Sequence, residues 1–141
     1  MLMILCTAAL LVVTTVALHL FFLQIIWHLI ARLSKITRLA VGLMILLAIG
    51  AHLVEIGVFQ LGYELLGEEY GHLEGYDHTR GLDGFYYSAV TFTSLGYGDL
   101  VPVGPIRILS AVEALTGLVL ITWTASFAFL VMERSWDPVN K

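Results

Sequence analysis

Polar positions in this chain fall into a few short clusters separated by long apolar runs, from Leu2 to about Ile30, from Leu39 to about Leu66 and from Ile106 to Met132. Each run exceeds the roughly 20 residues that a helix needs to cross a bilayer, so three membrane-spanning helices are predicted. A shorter apolar segment, Phe85 to Ser94, cannot span. It suits a half-length helix started by Asp83 or Gly84, because backbone that ends at membrane depth is tolerated only where protein lines it. Pro105 fits the first turn of the third span, where its missing N–H is harmless.

Composition agrees with a bilayer protein: the 141 residues are 59% hydrophobic and 13% charged, too apolar for an ordinary soluble domain. The distribution of charge says more than its net value of −4. Arg32, Lys35 and Arg38 stand without an acid between the first two runs, whereas Glu64 to Asp83 holds six acids against Arg80. The positive-inside rule puts the basic loop in the cytoplasm, the N-terminus and the acidic loop outside, and the C-terminus with Arg134 and Lys141 in the cytoplasm. The first run lacks a basic n-region and continues through Phe21, Phe22, Ile25, Ile26 and Leu29, so a retained helix is expected rather than a cleaved signal peptide. The acidic loop reads as an exposed turret, either concentrating cations at an outer mouth or simply solvated. The lone Cys6 has no partner for a disulfide.

The stretch TSLGYGDLVP, residues 93 to 102, carries the most specific chemistry. Glycine tolerates positive φ, so Gly96 and Gly98 flanking Tyr97 let successive carbonyls turn to one side of a ribbon, where they can replace the water shell of a cation. One ribbon makes one wall. Closing a ring of oxygens needs several copies about an axis, and a single segment per chain therefore implies a cyclic homo-oligomer, expected to have four copies.

The pore helix YYSAVTFTS, the filter SLGYGD, the LVP exit and an inner helix with Gly117 near its middle together resemble the potassium-channel pore domain, over about residues 84 to 133. The resemblance implies an all-α integral membrane protein, with three transmembrane helices plus a re-entrant pore helix and selectivity filter, that assembles as a homotetramer in a lipid bilayer. A prokaryotic plasma membrane is the expected location, and passive, potassium-selective conduction the expected function. Residues 1–38 are then an extra N-terminal helix with its basic loop, 39–66 the outer helix, 67–83 the turret, 84–103 the pore helix and filter, 104–133 the inner helix and 134–141 a cytoplasmic tail. Ser94, Leu95, Gly96, Tyr97 and Gly98 are the implied ion-binding residues, and K+ at the filter is the only metal expected. The family usually carries Thr where this chain has Ser94 and Val or Ile where it has Leu95. The carbonyl ligands survive those changes, but filter rigidity does not follow from them.

Around the filter, the resemblance gives Tyr86 and Tyr87 the role of an aromatic cuff whose hydroxyls reach Asp99 or Tyr97; an aromatic belt at the lipid headgroups is the other possibility. Val90 stands where some members have a Glu paired with the filter Asp. Glu113 matches a Glu that braces the filter from behind in inward rectifiers, with Thr93 and Ser94 as expected partners. An ionisable group within a span faces protein or water rather than lipid. Gly117 is either a gating hinge or a close-packing contact with the pore helix. Its register implies that Leu118, Ile121, Ala125 and Phe129 line the cavity or gate, with Phe129 as a constriction.

Two further polar groups lie outside the resemblance. If the first two spans form an antiparallel hairpin about Lys35, His19 and His52 fall at one depth, each about 20 Å from the cytoplasmic end, with Glu55 one turn from His52. They form a candidate pH-sensing cluster or a structural hydrogen-bond group. His72 and His78 lie in a separate loop, and no compact metal-ligand spacing appears. After Met132, ERSWDPVNK is too short for a nucleotide-binding or calcium-sensing domain, so a gating signal is expected to act on the membrane part, through lipid or through a regulatory partner. No span carries arginines at every third position, and no nucleophile–base pair, phosphate loop or zinc motif supports an enzyme. No cofactor and no nucleic-acid partner are expected. The rival readings are a weakly selective cation channel, and a non-conducting or histidine-based sensing subunit that needs a partner.

Overall fold

Buried positions in the first span recur every three or four residues, at Ile4, Ala8, Leu11, Thr15, His19, Leu23, Ile26 and Ile30, forming one stripe of a helix. The structure, a computed structural model, describes residues 1–32, 38–66, 68–75 and 82–136. Lys35, Asp77, Arg80 and Lys141, on which part of the charge reading rests, lie outside the described residues, as do His78, the side chain of Arg38 and much of the turret. Helix α1 runs Leu2–Arg32 and α2 runs Arg38–Leu66. On α2 the matching stripe is Ala40, Met44, Ala48, Ala51, Glu55, Phe59, Tyr63 and Leu66. The stripes face each other in opposite directions: Leu11 lies against Gly62, His19 against Glu55, and Ile26 and Ile30 pack with Ala40, Met44 and Ala48. Small residues on α2 let the two backbones approach closely, which is how helices associate where lipid competes for apolar contacts.

Helix α3, Asp83–Phe92, is the half-length element, with the Asp83 charge in its first turn, where the helix dipole favours an acid. Helix α4, Arg107–Trp136, is the third long helix. It begins later than Pro105, because Gly104 to Ile106 form a tight turn in which the Gly104 carbonyl accepts from Arg107 N–H at 3.2 Å and the Pro105 carbonyl from Ile108 N–H at 3.0 Å. Pro105 therefore serves the turn ahead of the helix rather than its first residue. Among the described residues, α1, α2 and α4 are long and apolar enough to cross a membrane, over Leu2–Arg32, Leu39–Leu66 and Arg107–Arg134.

One element has no counterpart in the sequence pattern. Strands β1, His72–Glu74, and β2, Val101–Val103, pair antiparallel with His72 opposite Val103 and Glu74 opposite Val101. The turret, read as unpatterned loop, is thus laced to the residues that leave the pore loop. Three-residue strands are too short to show an alternation.

The core lies where α1, α2, α3 and α4 converge, around Phe59, Phe92, Leu109 and Leu120. Helix α4 passes the end of α3 at Gly117, where a Cβ would collide with the Phe92 carbonyl and sit 2.8 Å from Phe92 Cγ. A backbone atom cannot give way as a flexible side chain can. Gly117→Ala is therefore expected to cost about 1–3 kcal/mol, read as a lowered unfolding midpoint in detergent. Gly50→Ala, where a Cβ meets nothing within 4 Å, should leave the midpoint unchanged or raise it.

Candidate functional site

Helix α3 ends in the two-bond closure that helices usually build on glycine: Ser94 N–H bonds to the Thr91 carbonyl at 2.9 Å and Leu95 N–H to the Val90 carbonyl at 2.9 Å. Gly96 N–H also reaches the Val90 carbonyl, at 3.1 Å. Three successive N–H groups thus turn back onto α3. In a trans peptide the preceding carbonyl points the opposite way, and no peptide bond here is cis, so the Thr93, Ser94 and Leu95 carbonyls face away from the helix. Left-handed backbone alternates through the loop, with φ of 57° at Ser94, 50° at Gly96 and 82° at Gly98. Serine tolerates this conformation better than a β-branched residue would, which gives a local reason for Ser rather than Thr at 94. Residues 93 to 99 are all exposed on the single chain, including Leu95 and Tyr97 at 56% and 66%.

The two cuff tyrosines part company. Tyr86 donates from its hydroxyl to Asp99 Oδ2 at 2.8 Å and stacks on Tyr97, with ring centroids 6.5 Å apart and planes within 3°. The hydrogen bond to Asp99 raises the Tyr86 phenol above its ordinary range, so it remains the donor. The second Asp99 oxygen accepts from Leu100 N–H at 3.1 Å, fixing the carboxylate at the loop's exit. Tyr87 instead points inward and is buried, with its hydroxyl 2.6 Å from Ser110 Oγ on α4.

Behind α3 lies Glu113, fully buried. Its partners are not Thr93 and Ser94. The Thr93 hydroxyl donates to the Ala89 carbonyl at 2.8 Å, capping its own helix. Glu113 is held by the Tyr63 hydroxyl from α2 at 2.5 Å and by the Ser88 hydroxyl from α3. Ser88 also reaches the Ile56 carbonyl of α2 at 2.9 Å, and Tyr63 lies 3.3 Å from Ser110. Three helices therefore meet at one carboxyl. Tyr63, Ser88 and Ser110 were not singled out in the sequence; a polar residue on the buried face of each helix was the available signal.

Gly117 sits one turn beyond Glu113, against Phe92, in the place of the close-packing contact. Leu118, Ile121, Ala125 and Phe129 all lie on exposed positions of α4 in the single chain, away from the face that packs on α3.

The structure also brings His19, His52 and Glu55 together. Glu55 Oε1 is 2.8 Å from His19 Nδ1 and Oε2 is 2.7 Å from His52 Nδ1, while the two rings stack at 5.5 Å. His19 thus meets His52 ring on ring and Glu55 through a hydrogen bond. His52 Nε2 lies 3.0 Å from Thr124 Oγ1, so the cluster extends to α4. These three residues are also, among the described residues, a set with three ligand-type atoms within 4.8 Å. The 2.8 and 2.7 Å contacts to the two Glu55 oxygens are hydrogen-bond lengths, shorter than the roughly 3.3 Å between ligands on a tetrahedral zinc.

With this geometry in view, a family model described as "Ion channel" matches residues 42–134. The inward rectifier potassium channel Kirbac3.1 of Paramagnetospirillum magnetotacticum is 32% identical over 91 residues, covering 64% of this chain and 30% of the relative. Two pore potassium channel b of Oryza sativa subsp. japonica is 42% identical over 52 residues, covering 33% of this chain and 15% of the relative. The chain thus spans less than a third of the length of either curated relative. No solved structure matches it.

The two hydrogen-bonded networks differ in burial and should differ in weight. Ser88→Ala removes a donor from a buried carboxyl and is expected to destabilise by about 1–3 kcal/mol. Tyr86→Phe, at a solvent-facing bond, should leave the unfolding midpoint close to that of the parent. Parallel thermal melts of the two variants check the order; equal losses would contradict it.

Proposed function

The chain belongs to the ion-channel family, in the potassium-channel pore-domain superfamily, and on that premise we propose that it forms a homotetrameric, potassium-selective pore that conducts passively across a membrane. The observation that supports this most is the backbone of the pore loop. Ser94, Leu95 and Gly96 N–H groups are bonded back to α3, which leaves the carbonyls from Thr93 to Leu95 on the opposite, uncovered side. Carbonyls so directed are the ligands a dehydrating cation needs, and four copies supply a ring. The exposure of Leu95 and Tyr97 fits a surface that neighbouring copies cover.

In this proposal ions enter a cavity lined by Leu118, Ile121, Ala125 and Phe129, lose water at Ser94, and advance past Leu95, Gly96, Tyr97 and Gly98 by knock-on between adjacent sites. Tyr86, Asp99, Glu113 and Gly117 brace the loop from outside and behind, as their contacts suggest. The N-terminus lies outside and the C-terminus in the cytoplasm of a prokaryotic plasma membrane. No bond is made or broken in the transported ion, so the chain works as a conduit rather than an enzyme.

The test is the reversal potential of the purified chain in liposomes under a potassium-to-sodium bi-ionic gradient. A value near the potassium limit is expected, and Gly98→Ala, which puts a Cβ on left-handed backbone, should abolish the current while tetramers persist on native electrophoresis. A reversal near zero would replace potassium selectivity with general cation conduction. Silence from intact tetramers would make this a subunit that needs a partner to conduct.

A further inference from the structure

The cluster joining α1, α2 and α4 lies outside the conduction pathway proposed above, and its hydrogen-bond inventory is uneven. Each Glu55 oxygen lies at hydrogen-bond distance from an imidazole Nδ1, and an ionised carboxylate can only accept, so with Glu55 charged both rings hold a proton on Nδ1. In a neutral imidazole the other nitrogen is then bare. His52 Nε2 has a partner, the Thr124 hydroxyl. His19 Nε2 has none, although His19 is 1% exposed. With both rings neutral, the Glu55 carboxylate leaves one negative charge inside the bundle, and among the described residues no Lys or Arg pairs with it. Facing it are His19 on α1 and His52 on α2; around the rings stand Trp123 of α4 against His19, and Thr124 of α4 and the Phe92 ring of α3 against His52. The other buried carboxyl of the bundle, Glu113, is occupied by Tyr63 and Ser88.

A lone charge in a span is costly, so this cluster is built to take up one positive charge. Its 2.8 and 2.7 Å separations are hydrogen-bond lengths, spaced for protons. Only one bare nitrogen has an oxygen within reach to receive a new N–H, and that is His52 Nε2. We propose that His52 Nε2 is a proton-binding site whose occupancy reverses the hydrogen bond to Thr124 and so links pH to the shape of the inner helix α4.

The step balances simply. Above the transition the Thr124 hydroxyl donates to the His52 Nε2 lone pair. A proton from solvent binds that lone pair, His52 becomes an imidazolium beside the Glu55 carboxylate, and its new N–H donates to Thr124 Oγ1. The Thr124 hydrogen is released and turns to a carbonyl one turn back in α4. Two neighbouring threonines already make that bond: Thr116 to the Val112 carbonyl at 2.7 Å and Thr122 to the Leu118 carbonyl at 2.8 Å. Back-bonding of this kind bends helices. The bend would fall between Gly117 and Phe129.

The test uses the full chain in lipid bilayers with 15N-labelled histidine. Between about pH 7.5 and about pH 5.5, the span in which imidazole serves as a switch, His52 Nε2 is expected to gain a proton while His19 keeps its proton on Nδ1. Thr124→Val, which removes the acceptor and preserves shape, should suppress that change. In potassium-flux assays the parent should show a change of about threefold or more between the same pH values, absent in Thr124→Val and in His52→Gln. The response should persist when the exposed His28 and His72 are replaced by Gln. A His52 Nε2 that stays bare, or a Thr124→Val protein that titrates and responds like the parent, would overturn the proposal. So would histidine signals that shift with added zinc and not with pH. The flux arm rests on the conduction reading, whereas the resonance arm does not: titration of His52 through Thr124 in a protein that passes no ions would sink conduction and leave the proton site standing.

Discussion

A carboxyl buried among membrane helices fixes their arrangement, because leaving it without partners costs far more than the apolar contacts around it return. Glu113 is that group here. Its hydroxyl partners come one each from α2 and α3, so satisfying Glu113 sets the height and rotation of three helices at once. The Tyr87–Ser110 bond ties α3 to α4 a second time, close to the first, and makes the attachment resistant to rotation. One turn further along α4, the missing side chain of Gly117 lets the helix touch the Phe92 carbonyl directly. The pore loop begins immediately after Phe92. Its backbone geometry is therefore set on a platform positioned by a polar knot rather than by apolar packing alone.

Helix α1 is attached by a different balance of forces. Apolar stripes bring α1 and α2 together but, against lipid, discriminate poorly between neighbouring registers. The His19–Glu55 bond selects one. Contacts with α4 follow at intervals down the helix: His19 on Trp123, Trp27 against Phe127, and the Arg134 guanidinium 4.6 Å from the Trp27 ring centre. Helix α1 is consequently packed against α4 along much of its length, and is more than a lipid-facing appendage.

What the sequence disclosed and what it concealed follow from how local each signal is. The three spans are legible in hydropathy because length and apolarity are properties of contiguous residues. The pore loop is legible because glycine alternation is a backbone requirement written directly in residue types. Depth counting from the basic loop put His19, His52 and Glu55 near one another, and the pattern of bonds among them is visible only in the structure. The partners of Glu113 were hidden, since Tyr63 and Ser88 stand 50 and 25 residues away and only the packing of α2 and α3 brings them to it. Tyr86 and Tyr87 are adjacent in sequence and point to different surroundings, a distinction of helix rotation that residue type does not carry. Thr124 was invisible for the same reason, as its role exists only once α2 and α4 are side by side.

The two short strands have a consequence that reaches beyond their three residues each. By pairing His72 with Val103 and Glu74 with Val101, they cinch the neck of a noose whose contents are the pore helix and the filter loop. A segment tied at both ends loses most of the end-to-end fluctuation that an open connection would have. Pulling on either flanking helix then loads the paired strands before it loads the loop they enclose. Mechanical signals from α4 then reach α3 laterally, through the Ser110 and Glu113 hydrogen bonds and the bare backbone contact between Gly117 and Phe92.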